Sequence, residues 1–324
     1  MLEITDLTKV YRRGVRANDG ISMAVDAGQV LGLLGHNGAG KTTLLNQVVG
    51  LLKPTSGTIR IDGADPVADP AMARRVCSLQ PQAQAPLDGV TPRQAIELMA
   101  RIRGASRRRA RQRAEELLAA LELEQWADTI GERLSGGVRR LTAFCMAAAE
   151  PGRLVMLDEP TNDVDPVRRA LLWQQVRALA DGGCAVVLVT HNVLEAERAV
   201  QQLVVLDHGR VVAQGTPAEL RGAQAARLRL ELVAADPRIA AELAGEFPGI
   251  EPAVVTGRRV VVPIEPAAAS NALDRAQRAR EAGRVDEFSV TPVSLEDVYI
   301  RLVAPENGNG DRTEEVAADA ALAA

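Results

Sequence analysis

The sequence predicts an α/β protein in which helices pack on a mainly parallel β-sheet. From the start of the chain to about residue 220, short apolar runs typical of buried strands alternate with stretches of helical spacing. One such run, Val30–Leu34, leads into a glycine-rich turn and then into a helical pattern at residues 42–49. From about residue 88 to 150 the spacing stays helical, which predicts a helical subdomain inserted into the sheet domain.

The remaining strands are predicted from short apolar runs bounded by turn residues. Two of them precede the glycine-rich turn, at residues 2–5 and 21–25. Later strands are predicted at residues 58–61, 76–79, 154–157 and 184–190, a helix at 166–180, and a hairpin formed by 203–206 and 211–213.

Composition excludes several classes of protein. The 324 residues are 47% hydrophobic and 25% charged, as in ordinary globular proteins, and the net charge of −4 argues against a general nucleic-acid binder. No apolar run has the length of a membrane span, and the N-terminus lacks the pattern of a secretion signal, so we expect a cytosolic protein. Cys77, Cys145 and Cys184 have no zinc or disulfide spacing and are expected to be buried free thiols.

The glycine-rich turn carries the clearest chemical signal. Gly35 is followed after four residues by Gly40, Lys41 and Thr42, the spacing of a phosphate-binding loop between a strand and a helix. Glycines let successive backbone N–H groups converge on a phosphate, and the helix N-terminus adds favourable partial charge. Lys41 can reach the β and γ phosphates, and the Thr42 hydroxyl can hold Mg²⁺. A turn that only connects strand and helix is the alternative, and Lys41 and Thr42 disfavour it.

Polar residues follow three predicted strands, at the edge where ligands gather in open α/β sheets. They are Gln82, the pair Asp158 and Glu159, and His191. Asp158 can complete a Mg²⁺ shell through water, and Glu159 can polarise the water that attacks the γ-phosphate. The alternative, two carboxylates that merely cap a strand, is disfavoured by the phosphate-binding loop upstream.

A second anion site is predicted at residues 134–137, Leu-Ser-Gly-Gly. Ser135 is a good N-cap, and the free N–H groups of Gly136 and Gly137 would open a helix. The chain therefore has two phosphate sites but one lysine-bearing loop.

Upstream, residues 101–113 contain seven arginines. A nucleic-acid or lipid-headgroup patch is one interpretation, but neighbouring glutamates and the lack of interleaved aromatic residues favour a solvated helix face.

Together, residues 1 to about 220 resemble the ATP-binding subunit of an ABC transporter. The resemblance implies a P-loop NTPase fold that binds ATP and Mg²⁺. Tyr11 is similar to the aromatic residue that stacks on adenine, and residues 134–137 resemble the signature motif. The implied Walker A contacts to the nucleotide are Gly35, His36, Asn37, Gly38, Ala39, Gly40, Lys41, Thr42 and Thr43; Ser135, Gly136, Gly137 and Asp165 are the remaining implied contacts.

The same resemblance assigns the reacting groups. Asp158 matches the Walker B carboxylate, Glu159 the catalytic base and His191 the switch histidine. Gln82 matches the glutamine that contacts Mg²⁺ and signals to the permease; Gln80 competes for this role, but its spacing to Thr91 fits the family less well. The implied catalytic residues are Glu159, His191 and Gln82, and the implied metal contacts are Thr42, Gln82 and Asp158.

In this family each nucleotide is sandwiched between the loop of one subunit and the signature of another. The resemblance therefore implies a homodimer or a paired ATPase subunit, peripheral on the inner face of the cell membrane, with a separate integral membrane permease and no nucleic acid. Val138 and the pair Asn162 and Asp163 depart from the family pattern. We expect sandwiching to survive these changes and the altered D-loop to affect rate and inter-subunit coupling.

Rival functions explain fewer of these motifs. A soluble ABC-type ATPase of translation usually carries two cassettes in one chain, and one of DNA repair carries long coiled coils or zinc-binding cysteines. A P-loop kinase or GTPase leaves residues 135–137 and His191 unexplained.

The C-terminal part has a different pattern from residue 223 onward. Its predicted order of strand, helix, two strands, helix and strand suggests a small ferredoxin-like α+β domain at residues 223–304, with a closing helix at 294–302. We expect it to serve dimerisation or regulation. Residues 291–299 resemble the end of drug-exporter ATPases of the daunorubicin-resistance type, which implies export of drug-like or lipophilic compounds. Residues 305–324 have the composition of a disordered tail.

Overall fold

The computed structural model describes residues 1–12, 14–222, 227–247, 249–250 and 252–303, so the predicted disordered tail lies outside the described residues. The strands are β1 (Leu2–Val10), β2 (Arg16–Val25), β3 (Val30–Leu34), β4 (Ser56–Ile61), β5 (Cys77–Gln80), β6 (Leu154–Asp158), β7 (Ala185–Thr190), β8 (Gln202–Asp207), β9 (Arg210–Gly215), β10 (Leu228–Ala234), β11 (Val254–Thr256), β12 (Arg259–Ile264) and β13 (Val285–Pro292). The helices are α1 (Lys41–Val48), α2 (Pro70–Val76), α3 (Pro92–Ile102), α4 (Arg107–Ala120), α5 (Gly136–Ala148), α6 (Pro166–Asp181), α7 (Val193–Ala199), α8 (Pro217–Arg221), α9 (Pro237–Glu246), α10 (Ala269–Glu281) and α11 (Leu295–Val303).

The predicted α/β fold is confirmed. Six strands form one sheet in the order β5-β6-β7-β3-β8-β9, parallel throughout except for the edge strand β9. Side chains of β3 alternate between two apolar clusters: Val30 and Leu34 enter one, and Leu31 and Leu33 enter the other. The central strand is thus buried on both faces, as expected for a parallel sheet covered on both sides.

A separate antiparallel sheet, in the order β2-β1-β4, packs beside the phosphate-binding loop. Strand β1 continues five residues past its predicted end at residue 5, and β2 begins five residues before its predicted start at residue 21. The pairing of β1 with β2 is irregular between Ile4 and Leu7, next to Asp6 with φ of 47°. Such bulges break the alternation on which the prediction relied, so only the regular parts of the strands were recognised.

Three helices of the region predicted to be helical pack on one another, namely α3, α4 and α5. Thr91 forms a reciprocal capping box with Gln94, and Ser106 and Ser135 cap the next two helices through their hydroxyl groups. The short helices α2, α7 and α8 were not predicted, because seven residues or fewer give too few turns for a clear period.

The C-terminal strands form an antiparallel sheet in the order β11-β12-β10-β13, covered by α9 and α10 around a third apolar cluster. The last helix was predicted to close this C-terminal unit, but it packs elsewhere. Helix α11 packs on α7 and α8, and Leu295 is buried in the core of the larger sheet. Among the described residues, no helix combines the length and apolarity that a bilayer span requires.

Candidate nucleotide site

The glycine-rich turn is shaped by backbone positions that only glycine fits. Gly40 is the N-cap of α1 with φ of 95°, and a Cβ there would lie 2.2 Å from the carbonyl oxygen of Ala17. Gly38 has φ of 86°, and a Cβ on Gly35 would come within 2.6 Å of the carbonyl oxygen of Leu206. The loop is therefore wrapped closely by β2 and by the β8 end, with its backbone at the N-terminus of α1.

Lys41 is folded back into this loop. Its Nζ donates to the carbonyl oxygens of Gly35 at 2.6 Å and His36 at 2.9 Å, and its side chain is buried. Burial lowers the pKa of Lys41, and the negative charges of Glu159 and Asp158 oppose that effect. The ammonium group is thus a desolvated donor with two neutral acceptors, well suited to exchange them for an anionic ligand.

A cavity of about 240 Å³ brings the loop together with two of the polar strand ends. It is lined by Ala17, Asn37, Gly38, Gly40, Lys41, Thr42, Thr43, Gln82, Asp158 and Glu159. Gln80 lies outside this lining, because its side chain is buried and donates to the carbonyl oxygen of Arg140 at 3.2 Å. The geometry therefore favours Gln82 over Gln80 as the group that faces the cavity.

Asp158 is the buried carboxylate of this cavity. The Thr42 hydroxyl donates to Asp158 Oδ2 at 3.4 Å, and the residue is only 3% exposed. Burial and the charge of Glu159 raise the pKa of Asp158 to about 6, against the opposing charge of Lys41. A carboxylate whose ionised form is disfavoured in this way gains from a cation placed beside it.

Glu159 is held by the next strand. The residue has φ of 52°, its N–H donates to the carbonyl oxygen of Val189, and Thr190 donates its hydroxyl to Glu159 Oε2 at 3.3 Å. His191 Nδ1 lies 2.7 Å from Glu159 Oε1. The carboxylate is therefore oriented by two residues at the end of β7. Thr190 was not among the predicted site residues, although its position directly before His191 was a usable signal.

Other predicted nucleotide contacts lie away from the lining of this cavity. Ser135 caps α5 through its contact with the Val138 N–H at 3.4 Å, and Asp165 caps α6 by accepting from Val167 and Arg168. Tyr11, 43% exposed, has its hydroxyl 3.5 Å from Thr43 Oγ1. The predicted helix start at Ser135 is thus present, and it lies outside the lining of the loop's cavity within one chain.

Three Walker A residues are also absent from the cavity lining. Ala39 is fully buried, Gly35 lies under the β8 end, and His36 turns its ring outward, with Nε2 3.1 Å from Asp207 Oδ1. We therefore expect these three residues to contribute to nucleotide binding through their backbone rather than their side chains.

Known proteins with similar sequences show which family this chain belongs to. Residues 18–162 match the family model described as ABC transporter. The daunorubicin/doxorubicin resistance ATP-binding protein DrrA of Streptomyces peucetius is 36% identical, over 98% of this chain and 96% of that protein. The chain belongs to the ABC transporter family. It is an ABC-type ATPase, an ATP-binding subunit whose ATP hydrolysis powers a membrane transporter, as the resemblance implied.

Two further similarities extend this result. The Nod factor export ATP-binding protein I of Paraburkholderia xenovorans (strain LB400) is 33% identical, over 89% of this chain and 92% of that protein. A dimeric ATP-binding cassette, solved in a post-hydrolysis state with ADP and Pi, superposes with a TM-score of 0.61 at 27% identity. It covers 67% of this chain and 98% of the solved one, so the similarity is that of a complete cassette within a longer chain.

Proposed function

We propose that this ABC ATPase subunit drives export of drug-like or lipophilic compounds through a separate integral membrane permease. It would act as a homodimer or beside a similar ATPase subunit, on the inner face of the cell membrane. The observation that carries this proposal is the near full-length similarity to a daunorubicin/doxorubicin resistance ATP-binding protein. The likeness to a Nod factor export protein supports the direction of transport.

Mg²⁺ and ATP are the ligands that the cavity suits. The hydroxyl of Thr42 and the buried carboxylate of Asp158 meet at 3.4 Å, oxygen donors of the kind Mg²⁺ prefers, and Gln82 adds an amide oxygen. When bound, the ion would screen the phosphate charge and orient the γ-phosphoryl group. The raised pKa of Asp158 supports this assignment, since a cation would offset both the burial of this carboxylate and the repulsion from Glu159.

The reaction would use groups already positioned in the chain. Lys41 would exchange its bonds to the Gly35 and His36 carbonyls for the β and γ phosphates. Glu159, oriented by Thr190 and His191, would accept a hydrogen bond from the attacking water. This bond would aim the lone pair of the water oxygen at phosphorus. The N-terminus of α5 in a second copy would supply N–H donors to the γ-phosphate from the opposite side.

The finer domain organisation is also part of the proposal. Packing among α3, α4 and α5 supports a helical subdomain at about residues 88–150 inserted into a cassette of residues 1–222. The element order and the antiparallel order β11-β12-β10-β13 support a ferredoxin-like unit within residues 223–304. The contact of α11 with α7 and α8 suits a regulatory unit fixed to its own cassette.

Purification from detergent-solubilised membranes tests the transporter assignment. The tagged chain should be recovered from the membrane fraction with a polytopic membrane protein, and the complex should hydrolyse ATP. The Glu159→Gln variant serves as the control: it should bring down the same membrane protein but hydrolyse almost no ATP. Recovery with ribosomes or DNA instead, without a membrane protein, would contradict the proposal.

A further inference from the structure

A cluster of two imidazoles and one carboxylate lies beside the phosphate-binding loop, outside the nucleotide cavity. His36 belongs to the loop, whereas Asp207 is the last residue of β8 and His208 begins the turn between β8 and β9. Asp207 Oδ1 lies 3.1 Å from His36 Nε2 and 3.9 Å from His208 Nε2, and one ligand atom from each residue lies within 4.8 Å of the other two. In the described ranges of the chain, no other three histidine, cysteine or carboxylate ligands come this close together.

Both ring nitrogens of His36 face oxygen atoms. Its Nδ1 lies 2.6 Å from the carbonyl oxygen of Asn37, which only accepts, so Nδ1 carries the hydrogen. Its Nε2 lies 3.1 Å from Asp207 Oδ1, so this nitrogen and the carboxylate face the same point in space. Metal-binding histidines usually donate their other ring N–H to a backbone carbonyl or a carboxylate, as His36 Nδ1 does to Asn37, which leaves Nε2 as the ligand atom.

We propose that His36, Asp207 and His208 bind a divalent transition metal ion of the zinc class. Two imidazole nitrogens and one carboxylate oxygen suit Zn²⁺ or Co²⁺ better than Mg²⁺, which favours oxygen ligands alone. Ligands of a tetrahedral zinc ion stand about 3.3 Å apart, given bonds of about 2.0–2.1 Å. The observed separations need only small side-chain movements to reach that geometry, and a fourth position stays open to water.

A backbone hydrogen bond holds the two segments of the proposed site together. Gly209 donates its N–H to the carbonyl oxygen of Ala39 at 3.2 Å, so the turn is already joined to the loop. Asp207 is largely covered, whereas His208 is exposed and free to swing toward the ion. The ion would therefore cross-link the phosphate-binding loop to the β8–β9 turn, far along the chain from it.

Metal binding by the purified, nucleotide-free chain tests this proposal. Titration with Co²⁺, followed by visible absorption, and with Zn²⁺, followed by calorimetry, should show at least one bound ion per chain, and Zn²⁺ should raise the melting temperature. His208→Asn should weaken Co²⁺ affinity about tenfold or more and abolish that thermal shift. Asparagine suits the positive φ of 45° at this position, which protects the fold.

The control is Asp181→Asn, which changes an exposed aspartate outside both the cluster and the nucleotide cavity and should leave Co²⁺ affinity unchanged. Asp207→Asn provides a second variant that keeps the shape of the turn, and it should weaken affinity as His208→Asn does. The proposal is overturned if the parent chain fails to bind Co²⁺ and Zn²⁺ in large excess. It is equally overturned if both cluster variants bind as the parent chain does, since the ion then lies elsewhere.

Discussion

Lys41 shows how a single residue prepares the phosphate-binding loop. Replacing it by alanine removes a buried ammonium group that is expected to donate a charge-assisted hydrogen bond worth about 1.5–3 kcal/mol. We expect Lys41→Ala to weaken ATP affinity about ten- to a hundredfold, as measured by calorimetry. Lys53→Ala, which truncates an exposed lysine in the turn before β4, is the control and should bind ATP normally. Unchanged affinity in a folded Lys41→Ala variant would contradict the assigned role.

Asp158 gives a prediction about pH. Its pKa of about 6 in the folded chain exceeds the usual value near 3.9, so folding favours the protonated form. That stability is present below about pH 4 and is lost as the pH rises through about 6. Asp158→Asn should therefore gain stability relative to the parent chain between pH 4 and 8, by up to about 3 kcal/mol.

Urea unfolding of the nucleotide-free proteins at several pH values measures this gain. Asp181→Asn changes an exposed aspartate at the end of α6 and should show no comparable trend. A stability difference between Asp158→Asn and the parent that stays constant over this range would show that the carboxylate ionises normally.

The residues of this site were more predictable from the sequence than the partners they bind. Gly40, Lys41 and Thr42 were recognisable because a phosphate-binding loop depends on local spacing. The bond from Thr190 to Glu159 and the outward turn of His36 toward Asp207 join residues 31 and 171 positions apart. Contacts over such separations depend on strand register in the sheet, which a pattern along one chain does not encode.

At the scale of elements, two neighbouring glycines at the start of α5 differ in the space beside them. A Cβ on Gly136 would stand 3.4 Å from Asp163 Oδ2, whereas one on Gly137 would stand 2.4 Å from the carbonyl oxygen of Asp163. Gly137→Ala must therefore displace backbone, and we expect it to lower the free energy of unfolding by about 1–3 kcal/mol. Gly136→Ala is the matched control and should unfold in urea like the parent chain. Equal stabilities of the two variants would contradict this packing.

Helix α11 gives a second prediction at this scale. Leu295 is 2% exposed within the core of the large sheet, so Leu295→Ala should destabilise the cassette by about 2–5 kcal/mol. Leu302→Ala, on the same helix but 38% exposed, should have little effect in the same urea titration. If Leu295→Ala alters only a separate transition of the C-terminal unit, the helix does not belong to the cassette core.

The elements themselves were predictable where their pattern was regular. Strands β3, β6 and β7 are continuous apolar runs, and α6 lies within one residue of its predicted bounds at residues 166–180. The extent of β1 was not predictable, because a bulge disrupts its alternation. The docking of α11 was not predictable either, since its amphipathic pattern shows that one face is buried but not which unit buries it.

At the scale of the whole molecule, each chain carries one lysine-bearing loop and one helix start of the signature type. Ser135, Gly136 and Gly137 lie outside the lining of the chain's own nucleotide cavity. Two copies arranged head to tail would complete two sites, each with a loop from one chain and a signature from the other. The dimeric solved cassette with ADP and Pi supports this arrangement for the proposed assembly.

Sedimentation of the Glu159→Gln variant with Mg-ATP tests that account most directly. The variant keeps the shape of the site but lacks the group that activates water, so ATP should stay bound and hold two chains together. We predict a stable dimer with Mg-ATP and a monomer without it. Adding Gly136→Asp should restore the monomer, because two like charges about 4 Å apart repel by roughly 4 kcal/mol at an effective dielectric constant of about 20. A Glu159→Gln variant that binds ATP yet stays monomeric, or a dimer unaffected by Gly136→Asp, would contradict the shared site.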